Sequence, residues 1–262
     1  MKKLYLTSPD LQNPIPDFIN LKILTTCIST NEYVDINFDS LVKSSPLLIS
    51  AINQTEGKGR DGRKWISVGK GGIYISYLLS IGNKKGLNFL SIAAGTAVAE
   101  AIREVTGLSP KLKWPNDIEL SGLKIGGILI ENKIFKDSIY SIIGIGINVN
   151  TTKRNIHNKI KDTATYISKV SDRIIDKDDL ILKITEYFFH FTNYLGKDLL
   201  QEIMSKYLKY IKHKKGDDIR FHFCGNIIQG QFEKIGNDGG IVLKLHDGTK
   251  KTYFSGEIAS VT

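Results

Sequence analysis

The chain contains 262 residues, of which 41% are hydrophobic and 24% are charged. These values are close to the averages of soluble globular proteins, so disordered and fibrous classes are excluded, and the length predicts between one and two folded units. Lys and Arg (36) exceed Asp and Glu (27), which gives a formal net charge of +9. This charge suits an anionic ligand such as a nucleotide, a nucleic acid or an acidic protein, and alone it selects none of them.

The N-terminus, the apolar runs and the cysteines together predict a cytoplasmic protein. The longest apolar stretches, residues 73–81 and 139–149, fall short of the ~20 residues that span a bilayer, and the first ten residues lack the apolar core of a secretory signal. The two cysteines, Cys27 and Cys224, cannot form a disulfide framework or a four-ligand zinc site. Their number fits a reducing compartment.

The first half of the chain predicts a mixed α/β body. Runs of β-branched and aromatic residues at 47–52 and 73–79 predict strands in a parallel or mixed sheet. Apolar residues at helical spacing between positions 87 and 105 predict a helix that ends at Gly107. Four short strands are expected next, at 111–114, 118–120, 124–131 and 138–150, with turns at Pro115, Asn116, Gly122 and Lys133.

The second half predicts two helices followed by a small β-module. Residues 151–163 are polar and lysine-rich and predict a mobile loop, after which a helix is expected from an N-cap at Asp178 to Leu195, and another over 199–211. Short strands with tight turns are then expected at 218–224, 227–235, 240–245 and 250–254. The predicted organisation is therefore a main domain of residues 1–212 and a small β-barrel of residues 213–262.

The strongest chemical signal lies in residues 57–65, Gly-Lys-Gly-Arg-Asp-Gly-Arg-Lys-Trp. Glycines permit close backbone approach and arginines offer paired donors to phosphate or carboxylate oxygens, so the segment predicts an anion-binding loop. It is not a dinucleotide fingerprint, because strand-like sequence follows it and the next acidic residue after Asp61 is Glu100, too far along the chain to contact the ribose. Nor is it a Walker loop, because Arg63 stands at the position of the required lysine. The alternative is a solvated surface turn.

Four other segments combine polar side chains or glycines with predicted strand or helix ends. They are Ser-Thr-Asn-Glu at 29–32, Lys-Trp-Pro-Asn-Asp at 113–117, Lys-Ile-Gly-Gly-Ile-Leu-Ile-Glu at 124–131 and Gly-Ile-Gly-Ile-Asn at 144–148. Each of the first three also has a structural explanation. These are a helix N-cap at Ser29, a self-capping turn that buries Trp114, and an edge lysine at position 124.

In their order and spacing these segments resemble the biotin protein ligase family, from about Leu24 to the C-terminus, where Phe254–Ile258 resembles the end of the family's small barrel. The resemblance implies an α+β (α/β) fold: a mixed-sheet catalytic domain related to class II aminoacyl-tRNA synthetases and lipoate ligases, followed by an SH3-like β-barrel. It implies activation of biotin by MgATP as biotinyl-adenylate, and transfer of biotin to a lysine of a biotin carboxyl carrier domain. The protein would act as a monomer or homodimer.

The resemblance also implies residue roles. Biotin would be bound by Ser29, Thr30, Asn31, Gln54, Gly57, Lys58, Gly59, Arg60, Lys124 and Gly127. ATP would be bound by Arg60, Arg63, Trp65, Lys113, Asn116, Asp117 and Asn148, and its phosphates would carry Mg²⁺ without a direct protein metal cluster. The catalytic candidates are Lys124, Arg60 and Asp117, the last as proton acceptor or amine orienter in the transfer step.

The implied chemistry needs cations rather than a protein nucleophile. A carboxylate that attacks a phosphate brings two anions together, so fixed cations and Mg²⁺ lower the barrier. The sequence agrees, because it has no convincing Ser/His/Asp or Cys/His arrangement and its five histidines lack metal-ligand spacing.

The loop departs from the family pattern at Lys58, where arginine is common. Lysine keeps the charge but loses the two-pronged donor geometry of arginine. We therefore expect this chain to release biotinyl-adenylate faster than its Lys58→Arg variant. A release assay on both proteins tests this expectation, which fails if the variant shows no slowing.

The sequence argues against three alternative functions. Some family members begin with a helix-turn-helix repressor domain, but here the motifs start near residue 29, so we expect neither DNA binding nor repression. A lipoate or octanoate ligase shares the fold, but its Arg-Arg, Gly-Gly-Gly and His-Asp segment is not found. A nucleic-acid-binding module would use the net charge and the five lysines of residues 206–215, but helical spacing would bury the aromatic residues there.

Overall fold

The computed structural model describes residues 2–5, 18–81, 84–150, 162–193 and 200–259. They contain a large mixed sheet flanked by helices and a smaller antiparallel sheet formed by the C-terminal residues. Among these residues, no helix combines the length and apolar character needed to cross a membrane. Residues 151–161 of the predicted loop 151–163 lie outside the described residues.

Eight strands form the large sheet and two more form a separate hairpin. In chain order the strands are β1 (Lys2–Tyr5), β2 (Phe18–Cys27), β3 (Leu47–Gln54), β4 (Gly57–Lys58), β5 (Lys64–Trp65), β6 (Gly72–Ser80), β7 (Lys111–Lys113), β8 (Asp117–Leu120), β9 (Leu123–Phe135) and β10 (Ser138–Asn148). The sheet order is β1-β2-β3-β6-β10-β9-β8-β7, and β4 pairs with β5. Only β2 and β3 run parallel among these pairs, so the sheet is mixed, as predicted.

Helices cover both faces of this sheet. They are α1 (Thr30–Ile36), α2 (Phe38–Leu41), α3 (Leu90–Thr106), α4 (Ile167–Ser171), α5 (Lys177–Asn193) and α6 (Leu200–Tyr210). Alternate residues of β3 point to opposite faces: Leu48 joins the core beneath α3 and α5, whereas Leu47 and Ile49 join the core beneath α1 and α2. The buried alanines of α3, among them Ala94 and Ala101, leave room for the neighbouring helices.

Several element boundaries differ from the sequence prediction. A 3-10 turn over Lys84–Phe89 precedes α3, which ends at the predicted Gly107 (φ 76°). The turn predicted at Lys133 is wrong, because β9 pairs with β10 as far as Phe135. The N-cap predicted at Asp178 is also wrong: the carboxylate of Asp176 accepts hydrogen bonds from the backbone amides of Asp178 and Asp179, at 2.9 and 3.3 Å.

The C-terminal residues form a small antiparallel sheet, not closed among the described residues, where a small β-barrel was predicted. Its strands are β11 (Asp218–Phe223), β12 (Asn226–Ile235), β13 (Ile241–Leu245), β14 (Lys250–Tyr253) and β15 (Glu257–Ile258). Their antiparallel order is β14-β13-β12-β11-β15, with β14 and β15 as the two edges. The predicted turn glycines Gly225, Gly239 and Gly248 all have positive φ, which glycine adopts without steric cost.

Buried side chains dock this C-terminal sheet on the turn between β7 and β8. Trp114 is 3% exposed, its Nε1 donates a hydrogen bond to the Gly239 carbonyl at 3.1 Å, and its ring lies 6.0 Å from that of Phe221. Lys212, which precedes the C-terminal sheet in the chain, is held at β8 because its Nζ lies 2.7 Å from the Glu119 carboxylate. The structural explanation for Trp114 is therefore correct: it fills the core between the two sheets.

The imidazole of His213 at this junction makes stability depend on pH. Its side chain is 12% exposed, and burial, assisted by Lys212, lowers its pKa from 6.5 to about 4. The unfolded chain therefore takes up a proton below pH 6.5 that the folded chain does not, so stability falls as pH decreases from 6.5 toward 4. Between pH 7 and pH 5 the loss from this group should be about 2 kcal/mol.

Urea unfolding at both pH values tests this expectation. The His213→Gln variant should lose less stability between pH 7 and pH 5 than the wild type, whereas a variant of the exposed His222, His222→Gln, should lose as much. An equal pH dependence in His213→Gln and wild type would contradict the assignment.

Candidate functional site

A cleft opens where β9 and β10 carry glycines beside the start of α1. Gly127 of β9 and Gly146 of β10 are cross-strand partners in its wall. The hairpin formed by β4 and β5, residues 57–65 and hereafter the lid hairpin, covers it. The cleft encloses about 160 Å³, and its lining includes Ser29, Thr30, Asn31, Gln54, Lys58, Gly59, Arg60, Arg63, Trp65, Asn116, Asp117, Lys124 and Gly127.

A chain of hydrogen bonds joins α1 to the strands at one end of the cleft. The Gln54 Oε1 atom accepts from the Thr30 backbone amide at 2.7 Å and from the Thr30 hydroxyl at 3.1 Å. Ser76 Oγ lies 2.8 Å from Thr30 Oγ1 and 2.6 Å from Asn31 Oδ1. Asn31 Nδ2 donates to Glu131 at 2.7 Å. Each of these side chains thereby has a fixed orientation.

The glycines of β10 create the space that two of the lining side chains occupy. A Cβ atom on Gly144 would collide with Asn31 Oδ1, and one on Gly146 would lie 2.8 Å from Trp65 Cε2. Both glycines have extended backbones, so their role is steric and does not depend on positive φ. β10 therefore has room for the amide of Asn31 at position 144 and for the indole of Trp65 at position 146.

A cluster of charged and polar groups lies beside the indole. Lys124 Nζ is 2.5 Å from Asp117 Oδ1 and 5.9 Å from the centre of the Trp65 ring. Asn116 Nδ2 donates to the Ile128 carbonyl at 2.8 Å, and Arg60 Nη1 donates to Asn116 Oδ1 at 3.4 Å. The cluster thus presents two cations and one carboxylate to the cleft.

A second cavity, of about 790 Å³, shares Trp65, Asp117 and Lys124 with the cleft and reaches the C-terminal sheet. Lys113 and Asn148 line it. Asn148 is 2% exposed, and its Nδ2 donates to the Thr165 carbonyl at 3.2 Å. Its Oδ1 is buried with no hydrogen-bond partner among the described residues, so it is an acceptor available to a ligand.

The lid hairpin is attached on two sides. On one side, Lys58 Nζ lies 2.6 Å from the Glu32 carboxylate of α1. On the other side, Arg63 Nη1 lies 2.7 Å from Glu257 of β15, and Arg60 Nη1 donates to the Gly256 carbonyl at 3.1 Å. Although burial opposes it, the hydrogen bond from Arg63 lowers the pKa of Glu257. The C-terminal sheet therefore contacts the hairpin directly.

The structure brings nearly all of the predicted site residues to these two cavities. Gly57 is the exception: it lies in the lid hairpin without lining either cavity, and a Cβ there would be 2.7 Å from the Trp65 carbonyl oxygen. Arg63, predicted to bind ATP, lines the smaller cleft and is paired with Glu257.

Sequence reasoning missed three residues: Ser76, Glu131 and Glu257. Ser76 is completely buried, and a hydroxyl in the middle of the apolar run 73–79 was the available signal. Glu131 ends a segment that was recognised, but nothing in the sequence indicated its bond to Asn31. No local signal marked Glu257 as the partner of Arg63.

Comparison with known proteins decides the family. The sequence model of the Biotin/lipoate A/B protein ligase family matches residues 25–148. A solved structure, biotin protein ligase from Aquifex aeolicus in complex with biotin and ATP, aligns with a TM-score of 0.76 and 31% identity, over 92% of this chain and 97% of that chain. The chain belongs to the biotin protein ligase family.

Two further proteins are similar to this chain, one in sequence and one in fold. The bifunctional ligase/repressor BirA of Bacillus subtilis (strain 168) is 32% identical over 212 residues, which are 79% of this chain and 64% of the relative. The chain thus spans about 64% of the length of that relative. The biotin acetyl coenzyme A carboxylase synthetase of Helicobacter pylori, at 22% identity and a TM-score of 0.62, shares the fold. The predicted family and fold class are confirmed.

Proposed function

We propose that this chain activates biotin with ATP to form biotinyl-adenylate and transfers the biotin to a lysine of a biotin carboxyl carrier domain. The proposal depends on one observation. One end of the cleft, the pocket end, carries uncharged hydrogen-bonding side chains, and a cluster of charged groups lines the same cleft. The pocket end suits an uncharged polar group, and the cluster suits an acid and a phosphate. The Aquifex aeolicus relative, whose structure contains biotin and ATP, supports the same pairing of ligands.

The pocket end around Thr30, Asn31 and Gln54 would bind the ureido ring of biotin. That ring carries two N–H donors and one carbonyl acceptor, which require matched partners in a confined site. Hydroxyl and amide groups provide both kinds of partner. Ser29, which is 3% exposed at the N-cap of α1, lines the same end.

Lys124 and Arg60 would neutralise the reacting anions in the first step. A carboxylate oxygen of biotin attacks the α-phosphorus of ATP, a new phosphorus–oxygen bond forms, and the bond to pyrophosphate breaks. Negative charge moves onto the departing pyrophosphate during this step, so fixed cations lower its barrier. Mg²⁺ would be held by the ATP phosphates and would supply further charge neutralisation.

The larger cavity beside Trp65 would receive the nucleotide. Lys113 provides a buried cation there, and the unpaired Asn148 Oδ1 can accept a hydrogen bond from an amino group. Asn116 and Arg63 would act from the edge shared with the smaller cleft, and Gly59 and Gly127 would allow close approach of biotin's acid group. Arg63 would reach ATP only after leaving Glu257.

In the transfer step the acceptor lysine must attack as a neutral amine. Its nitrogen forms an amide bond with the biotin carbonyl carbon, AMP departs, and one proton must leave the nitrogen. Asp117 would accept that proton or orient the amine. Its carboxylate, 18% exposed and 2.5 Å from Lys124, lies at the meeting point of both cavities.

The chain would have two domains. Residues 1–212 would form the catalytic domain and residues 213–262 the C-terminal β-module. The partner would be a cytoplasmic carboxylase carrier domain.

Acceptor modification tests the proposal directly. The protein is incubated with a carboxylase carrier domain, MgATP and either biotin or lipoate, and the acceptor mass and released nucleotide are measured. The expected result is a biotin mass increment on one lysine, with AMP and pyrophosphate as products. Lipoate incorporation, or no product with biotin, would contradict the proposal.

A further inference from the structure

Glu32 has a position that the proposed reaction does not use. It lies in the first turn of α1, directly after Thr30 and Asn31, and its carboxylate points to the lid hairpin instead of to the pocket end. The Lys58 ammonium is 2.6 Å away, and the hydrogen bond between the two groups raises the pKa of Lys58. Lys58 is therefore charged and directed at α1.

Lys58 lies between two places where its ammonium could meet an anion. Its side chain, 45% exposed, borders the cleft on one side. On the other it borders a groove whose acidic residues are Glu32, Glu56, Asp61 and Glu131, and Glu32 is the one that contacts its ammonium. Turning toward the cleft would bring the ammonium to the acid end of a bound ligand and would break its contact with Glu32. The Glu32 carboxylate thus competes with the ligand for this cation.

The frame that presents Glu32 is rigid. The preceding residue, Asn31, is 2% exposed and is held by Ser76 at 2.6 Å and Glu131 at 2.7 Å. The first turn of α1 therefore cannot follow the lid hairpin when it moves. The Glu32 carboxylate on this turn therefore attracts the Lys58 ammonium to a fixed position beside α1.

We propose that Glu32 is a positioning residue that withholds Lys58 from the bound adenylate and thereby speeds its release. This inference rests on the proposed function. The pair is partly exposed at both ends, with side-chain exposures of 45% and 26%, and such pairs contribute up to about 1 kcal/mol. Removal of the Glu32 charge should therefore slow adenylate release by about two- to fivefold.

The experiment measures the release rate of preformed biotinyl-adenylate from four proteins: wild type, Glu32→Gln, Lys58→Met and the double variant. Glu32→Gln should release the adenylate two to five times more slowly than wild type at low salt, and this difference should shrink at high salt because the pair is screened. In the Lys58→Met background the same Glu32 change should have no effect.

Glu56→Gln is the matched control. Glu56 pairs with Lys64, the cross-strand partner of Lys58 in the lid hairpin, at 3.4 Å. This variant removes an equal charge that is also paired with a lysine of the lid hairpin, and it should leave the release rate unchanged. Equal or faster release from Glu32→Gln, or an effect that persists in the Lys58→Met background, would overturn the inference.

Different results would contradict the proposed function and the role of Glu32. If the wild type forms no adenylate from biotin and MgATP, the proposed function fails. If adenylate forms and its release is insensitive to Glu32, only the role of Glu32 fails. Thermal unfolding of each variant shows whether α1 and the lid hairpin stay folded, and a folded Glu32→Gln variant with unchanged release counts against the inference.

Discussion

Lys124→Ala should reduce adenylate formation by at least about 10²–10³-fold, the cost typical of removing one stabilising donor from a reacting anion. Lys124 Nζ is 2.5 Å from Asp117 and faces both cavities, so its loss leaves the Asp117 carboxylate without its cation where biotin's acid would meet the α-phosphate. The fold should remain intact, because the lysine side chain is 39% exposed and the pair contributes on the order of 1 kcal/mol. Pyrophosphate release with biotin and MgATP measures the effect.

Lys133→Ala is the matched control for this variant. Lys133 lies on the same strand, β9, and is also ion-paired, with its Nζ 2.6 Å from Asp35, but it lines neither cavity. Its removal should leave pyrophosphate release unchanged. Adenylation by Lys124→Ala at the wild-type rate would reject the assigned role.

Gly144→Ala should weaken biotin binding by at least about tenfold and lower the free energy of unfolding by about 1–3 kcal/mol. The new Cβ would collide with Asn31 Oδ1, and Asn31 cannot move without losing its bonds to Ser76 and Glu131. The added methyl group on β10 would thereby break the hydrogen bonds that fix the Asn31 side chain at the pocket end. Calorimetric titration with biotin and urea unfolding measure the two effects.

Gly95→Ala serves as its control. Gly95 is also buried, within α3, but a Cβ there would lie 3.5 Å from the nearest side-chain atom, which is ordinary contact. Alanine also favours the helix by up to about 1 kcal/mol. We expect unchanged biotin affinity and unchanged or increased stability. Wild-type biotin binding by Gly144→Ala would show that Asn31 does not hold the ligand.

Predictions from local signals succeeded where neighbouring residues determine the backbone. Gly107 ends α3 because a residue without Cβ adopts positive φ freely, and Gly225, Gly239 and Gly248 mark the C-terminal turns for the same reason. The prediction of a turn at Lys133 was wrong because lysine is depleted in strands, and the sequence does not show its cross-strand partner. Pairing with Tyr140 keeps Lys133 in the strand.

The partners of charged side chains could not be predicted in the same way. Arg63 was assigned to ATP, yet its carboxylate partner Glu257 is 194 residues away in the chain. Ser76 contacts Asn31 across 45 residues. Such contacts depend on strand register and on how the C-terminal sheet docks, and neither is encoded in any short segment.

The amino-acid sequence alone predicted the long helices, most strands of the two sheets and the segments that line the cleft, because turn glycines, apolar periodicity and motif spacing act over a few residues. It did not predict β1, β2, α2, α4, β15 or the strands of the lid hairpin. Tertiary structure decided which groups meet: Lys58 with Glu32, Lys124 with Asp117, Trp114 with the C-terminal sheet. Electrostatic and hydrogen-bond energies depend steeply on distance, and only the packed fold sets the distances between residues far apart in the chain.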